Sequence, residues 1–140
     1  MASDYDSPWK EAITQYFRQF LEFFFPEIEA DVNWSAGYEF LDAELQAITS
    51  GARHGRRFAD RLVKVTRLSG KQQLVLVHIE VQSQVDRQFT RRMLLYHSRI
   101  FDRFGLDLCS LAILGDTDPG WRPRGRRRRL WGCVHQLRFP

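Results

Sequence analysis

The amino-acid sequence predicts an α/β fold in which a mixed sheet is flanked by helices. Residues 58–67 and 74–82 are successive β-branched segments joined by a connection with a Ser69-Gly70 turn signal, the pattern of an antiparallel hairpin. A helical pattern follows from Asp86 to about Phe104, and then an apolar strand-like run from Leu106 to Leu114. Strand, long helix and strand in that order make a crossover that adds a parallel strand to the hairpin sheet. At 140 residues and 44% hydrophobic composition the chain can bury a core without disulfides or metals, so one domain is expected.

Asp6-Ser7-Pro8 is a strong helix start, a capping residue followed by proline at the first helical position. Trp9, Ile13, Tyr16, Phe17, Phe20, Leu21 and Phe24 then recur at helical spacing, and Pro26 stops the run. An aromatic stripe of this kind faces a core far more often than it forms a stacking platform. A second helix is expected from about Tyr38 to Thr49, with Phe40, Leu41, Leu45 and Ile48 inward and Gly51 as its stop. The segment from Gly51 to Arg57, with Arg53, His54, Arg56 and Arg57, reads as a basic loop that guides a phosphate backbone or is simply solvated. The third helix, capped by Asp86 and stopped at Gly105, has the apolar stripe Phe89, Met93, Tyr96, Ile100 and Phe104. Leu130 to Phe139 is a further strand candidate.

The hairpin carries the candidate chemistry. Side chains alternate across a strand, so Val75, Val77, Ile79 and Val81 share one face, and Leu74, Leu76, His78, Glu80 and Gln82 share the other. With the turn near Gly70, Asp60 falls opposite Glu80. Directly opposed like charges repel, and a bridging cation removes the repulsion. Two carboxylates and a carboxamide on one face suit a hard cation such as Mg²⁺, or Mn²⁺ in its place. Such a cation activates water and stabilises charge on a phosphate, which makes Asp60, Glu80 and Gln82 a candidate nuclease site with Asp60 and Glu80 as metal ligands. The bland alternative is a solvated sheet face with its acids paired to arginines. Leu74 and Leu76 on the same face argue against it, because an acid left unpaired beside them is costly.

Asp60, the hairpin and Glu80-Val81-Gln82 together resemble the PD-(D/E)XK nuclease superfamily, in which an Asp precedes an acid-x-Lys triplet on the next strand. Gln82 stands at the lysine position, as in the branch of Rpn-type recombination-promoting nucleases and YhgA-like, transposase-related proteins. The chain is similar to that branch from about residue 38 to 123: Tyr38-Glu39-Phe40-Leu41-Asp42, Ala59 to Val65, His78 to Gln82, Phe89 with Arg92-Met93, Ile100-Phe101-Asp102-Arg103, Ser110 to Leu114 and Pro119 to Pro123. The resemblance implies a restriction-endonuclease-like core, αβββαβ-like, which requires one more short strand, expected near Val32 to Trp34. It implies a Mg²⁺-dependent DNA endonuclease hydrolysing phosphodiester bonds, in which Gln82 positions the attacking water or completes the metal shell. Gln82→Lys is then expected to be tolerated. Glu44, on the helix before the sheet, matches the accessory acid that the superfamily often carries, with surface exposure as its alternative.

Other accessory candidates follow from position. Lys64 shares the Asp60 face but lies roughly 13 Å along the strand. His78 is expected to support the ligands from behind or to be a satisfied core residue. Arg92 and Tyr96, four apart on one helical face, are placed to contact the scissile phosphate; solvent exposure for Arg92 and packing for Tyr96 are the alternatives.

The net charge of +4 is local: setting aside Arg122, Arg124 and Arg126 to Arg129 leaves the remainder at −2. An arginine cluster binds phosphates, so Arg126, Arg127, Arg128 and Arg129 are candidate nucleic-acid contacts, with a solvated end as the alternative. Residues 1–120 are expected to form the nuclease-like domain, and 121–140 an Arg-rich segment that is a last strand or a diverged tail. Members of the resembled branch continue beyond this point, so the chain reads as C-terminally short. The rival reading is accordingly a non-catalytic remnant of a mobile-element nuclease that acts as a nucleic-acid or protein interaction module. A plain nucleic-acid-binding protein would lack any helix-turn-helix, zinc-finger or RNA-binding signature here. Cys109 and Cys133 have no metal-ligand spacing and fit a reduced, cytoplasmic protein, and no apolar run is long enough to span a bilayer. DNA is the expected partner, with no membrane. Monomer and homodimer both stay open, since endonucleases that cut both strands often act in pairs but no interface is legible in the sequence.

Overall fold

A computed structural model of the chain describes residues 6–49, 58–69 and 73–140. The described residues form a mixed four-stranded sheet flanked by helices, with a separate two-stranded hairpin. Three helices come first: α1 (Asp6–Gln15), α2 (Phe17–Phe24) and α3 (Pro26–Asp31). The single amphipathic helix expected over this region is bent rather than continuous. Tyr16 leaves helical geometry, yet the bonds Tyr16 N–H to Ala12 O and Phe20 N–H to Tyr16 O run through it. Pro26 ends α2 and opens α3, because proline at a helix's first position loses only an N–H that would have had no helical partner.

The missing short strand lies at β1 (Tyr38–Phe40), not at Val32 to Trp34, where only a single bridge from Val32 to Arg67 forms. The helix expected from Tyr38 begins later, as α4 (Asp42–Thr49). Aromatic residues suit a pleated surface, and Phe17 packs against both Tyr38 and Phe40, at 5.0 and 5.6 Å between ring centres. Asp42 then fixes the start of α4 by accepting the Leu62 N–H at 3.1 Å and pairing with Arg61 at 2.9 Å.

The hairpin strands β2 (Phe58–Thr66) and β3 (Leu74–Gln82) pair antiparallel. Helix α5 (Phe89–Phe104) ends on left-handed Gly105 and crosses over to β4 (Leu108–Leu114), which runs parallel to β3. The sheet order is β1-β2-β3-β4. Beyond it, β5 (Gly125–Leu130) and β6 (Cys133–Arg138) form their own antiparallel hairpin, so residues 121–140 contribute two strands.

One sheet face, with Val63, Val65, Val77, Ile79, Val81 and Leu111, packs on Ile13, Phe17, Phe20 and Leu21 of α1 and α2. The opposite face carries two separate apolar clusters. Leu41, Leu45, Leu62, Leu76 and Ile100 form one, and Phe89, Met93, Leu137 and Phe139 form the other. Buried polar side chains divide them. No helix among the described residues is long and apolar enough to cross a membrane.

Candidate functional site

The polar seam between the two clusters follows from strand parity. On β3, Leu76 belongs to the first apolar cluster, and the next three residues on that face are His78, Glu80 and Gln82. The register sets Asp60 directly opposite Glu80 and Leu62 opposite His78. Facing pairs of this kind have Cβ atoms roughly 4.5–5.5 Å apart, which brings two acids together on one face. Both are deeply buried, Asp60 and Glu80 each at 1% exposure.

Glu80 is oriented by a chain of bonds that crosses three elements. His78 Nε2 lies 3.2 Å from Glu80 Oε1, and His78 Nδ1 lies 2.9 Å from Ser110 Oγ on β4. Ser110 Oγ is also 2.9 Å from His97 Nδ1 on α5. With Glu80 ionised and His78 neutral, the directions are forced: His97 donates to Ser110, Ser110 donates to His78, and His78 donates to Glu80. Burial holds the His97 imidazole below its ordinary range, and His78 beside it, whenever it is protonated, presses the same way. The ring of buried Tyr96 stands edge-on to His78 at 6.2 Å, a packing role.

Gln82 is held from both ends. Its Oε1 accepts from Arg92 Nη2 at 2.9 Å, and its Nε2 donates to the Gln84 carbonyl at 2.9 Å. The same guanidinium pairs with Asp86 Oδ2 at 2.7 Å through Nη1. Arg92 is therefore buried at 8% exposure, not solvated. Asp86, expected as a helix cap, accepts the Gln88 N–H just before α5 and anchors Arg92.

The remaining candidates lie apart from the seam. Glu44 is exposed on the first turn of α4, whereas Asp42 of that turn is the acid that reaches β2. Lys64 is paired with Glu39, its cross-strand partner, at 3.3 Å. Arg126, Arg127, Arg128 and Arg129 lie on β5. Arg53, His54, Arg56 and Arg57 fall outside the described residues. Ser110 and His97 join the site only in the folded chain. The sequence signals for them are slight: Ser110 is the one hydroxyl of Leu108–Leu114, and His97 lies four residues from Met93 on the inward stripe.

The donor set fits Mg²⁺, which takes one or two carboxylates and leaves its other positions to water and phosphate oxygens. Asp60 and Glu80 supply that pair, and the bond from His78 fixes the rotation of the second. Among the described residues no group of three or more His, Cys, Asp and Glu side chains gathers as a metal site. Comparison with known protein families, curated proteins and solved structures returns no match.

Proposed function

We propose that the chain is a metal-dependent DNA endonuclease of the recombination-promoting type that it resembles, with a restriction-endonuclease-like core. The observation that carries this reading is the pairing of buried Asp60 opposite Glu80 on the face shared with Gln82. The element order supports it as well: an antiparallel β1-β2-β3 followed by a helical crossover to parallel β4.

Asp60 and Glu80 would hold Mg²⁺ or Mn²⁺. When bound, the ion supplies an activated water and stabilises charge on the phosphate. His78, held by Ser110 and in turn by His97, keeps the Glu80 carboxylate in one rotation. Glutamine cannot bring the positive charge of the superfamily lysine. Arg92 brings one instead, its guanidinium 2.9 Å behind the Gln82 carboxamide, where it polarises that group.

The second reading, a non-catalytic domain whose seam is structural, is favoured by the same burial and by the engagement of both ends of Gln82. Supercoiled plasmid incubated with the purified chain decides between them. The endonuclease nicks it with Mg²⁺ and not with EDTA, and Asp60→Asn or Glu80→Gln lowers the rate at least about a hundredfold while the thermal transition persists. Nicking that ignores EDTA, or that survives both substitutions, places the chemistry elsewhere. Absence of nicking by the parent chain favours the structural seam.

A further inference from the structure

The β5–β6 hairpin has its arginines concentrated on β5, with Arg138 on β6. Between Trp121 and Pro140 the sequence holds seven arginines and no Asp or Glu. None of Arg126 to Arg129 or Arg138 pairs with a carboxylate among the described residues.

Its two faces differ. The register puts Arg126, Leu137, Arg128 and His135 on one face, and Leu137 is buried with Phe89, Met93 and Phe139, rooting that side in the domain. The other face carries Arg127, Arg129, Val134, Gln136 and Arg138, all exposed. At the tip a two-residue turn, Trp131-Gly132, has positive φ at both positions, 51° and 82°. Such turns favour Asn-Gly, yet here a tryptophan takes the left-handed position and stands 96% exposed beside Leu130 at 63%. A strained, solvent-exposed indole at the end of an arginine ribbon points to a ligand with both phosphates and stacked rings.

We propose that β5–β6 is a duplex-DNA-binding ribbon. It lies along the major groove with Arg127, Arg129 and Arg138 on phosphates and Trp131 wedged at a base step. Two strands roughly 4.8 Å apart fit a groove about 12 Å wide, whereas the deep, narrow major groove of duplex RNA does not admit them. Arginines two residues apart on one face are about 6.7 Å apart, close to two steps of 3.4 Å along a DNA strand. Leu114, the register partner of Gln82, packs in the cluster that holds Leu137 and Phe139, so the ribbon is rooted at the sheet end that carries Glu80 and Gln82. Its delivery of DNA to that end rests on the nuclease reading; the binding itself does not.

The test is anisotropy of a labelled B-form duplex with the full chain in EDTA, from 50 to 200 mM salt. Arg127→Ala with Arg129→Ala should weaken binding and lower the log–log salt slope by about 1.8, two contacts at roughly 0.9 each. Trp131→Asn should weaken binding at least about fivefold with the slope unchanged, since it removes stacking and no charge. It should also keep or raise the melting temperature, which separates lost contact from lost fold. Parent-like affinity and slope in the double variant, or tighter binding of the parent to single strands, RNA duplex or anionic vesicles, overturns the proposal. Binding in EDTA without cleavage in Mg²⁺ refutes the nuclease reading alone and leaves the ribbon standing.

Discussion

Gln82 and Arg92 act as one unit, because the guanidinium joins the Gln82 carboxamide on one side to Asp86 on the other. A lysine at position 82 would set an ammonium against that guanidinium in a buried place. Gln82→Lys, which the resemblance alone suggests is harmless, is therefore expected to destabilise the fold by about 1–3 kcal/mol. Adding Arg92→Gln to it should restore at least half of the loss in urea unfolding; a single variant as stable as the parent would sink the coupling. His97 carries a second residue-scale prediction. Its folded pKa lies below the ordinary 6.5, so below that pH the unfolded chain takes up a proton that the folded one refuses. Stability from this group is fully present above about pH 6.5 and is lost as the pH falls from there towards the lowered folded value. His97→Asn, which keeps a donor for Ser110, should flatten that slope in melting temperatures measured between pH 5 and 8.

At the scale of elements, the β5–β6 hairpin depends on its root. Six-residue strands forming a two-stranded sheet are marginal alone, and Leu137 with Phe139 ties this one to Phe89 and Met93 of α5. Leu137→Ala is expected to cost about 2 kcal/mol, the low end of the range for a leucine at a cluster's edge, and to loosen the ribbon first. Amide exchange would show protection lost in β5 and β6 before β3; uniform loss across both sheets would mean that the hairpin is part of the main cooperative unit. The α3 end is tied differently. Asp31 accepts from Arg67 Nε and from the Ser69 backbone and hydroxyl, bonds that hold its carboxyl below the usual range and pin the far end of β2.

For the whole molecule, the polar seam splits the core of one sheet face into two apolar clusters. Opposed carboxylates repel there when both are ionised, and on the proposed metal-site reading a cation bound only by the folded state would offset that repulsion. If Mg²⁺ binds near millimolar affinity, 10 mM should add on the order of 1.4 kcal/mol, a few degrees in melting temperature. The same increment should be missing in Asp60→Asn and absent with Na⁺ at matched ionic strength. An equal rise in the variant would show that the ion acts elsewhere on the surface.

Strand parity and turn chemistry are local properties, and residue order alone determined what rests on them. The Ser69-Gly70 connection and the two β-branched runs placed Asp60 against Glu80, and β3 has the bounds that its composition announces. Long-range contact decided the rest. Tyr38–Phe40 has a helix-compatible pattern, yet pairing with Val63 to Val65 and the ring of Phe17 draw it into the sheet. Arg92 looks solvated on a helix rich in arginine; only the packing of α5 against the end of β3 brings it to Gln82. Ser110 acquires meaning when parallel pairing lays it beside His78, thirty-two residues away, and a bond across that separation leaves no trace in local periodicity.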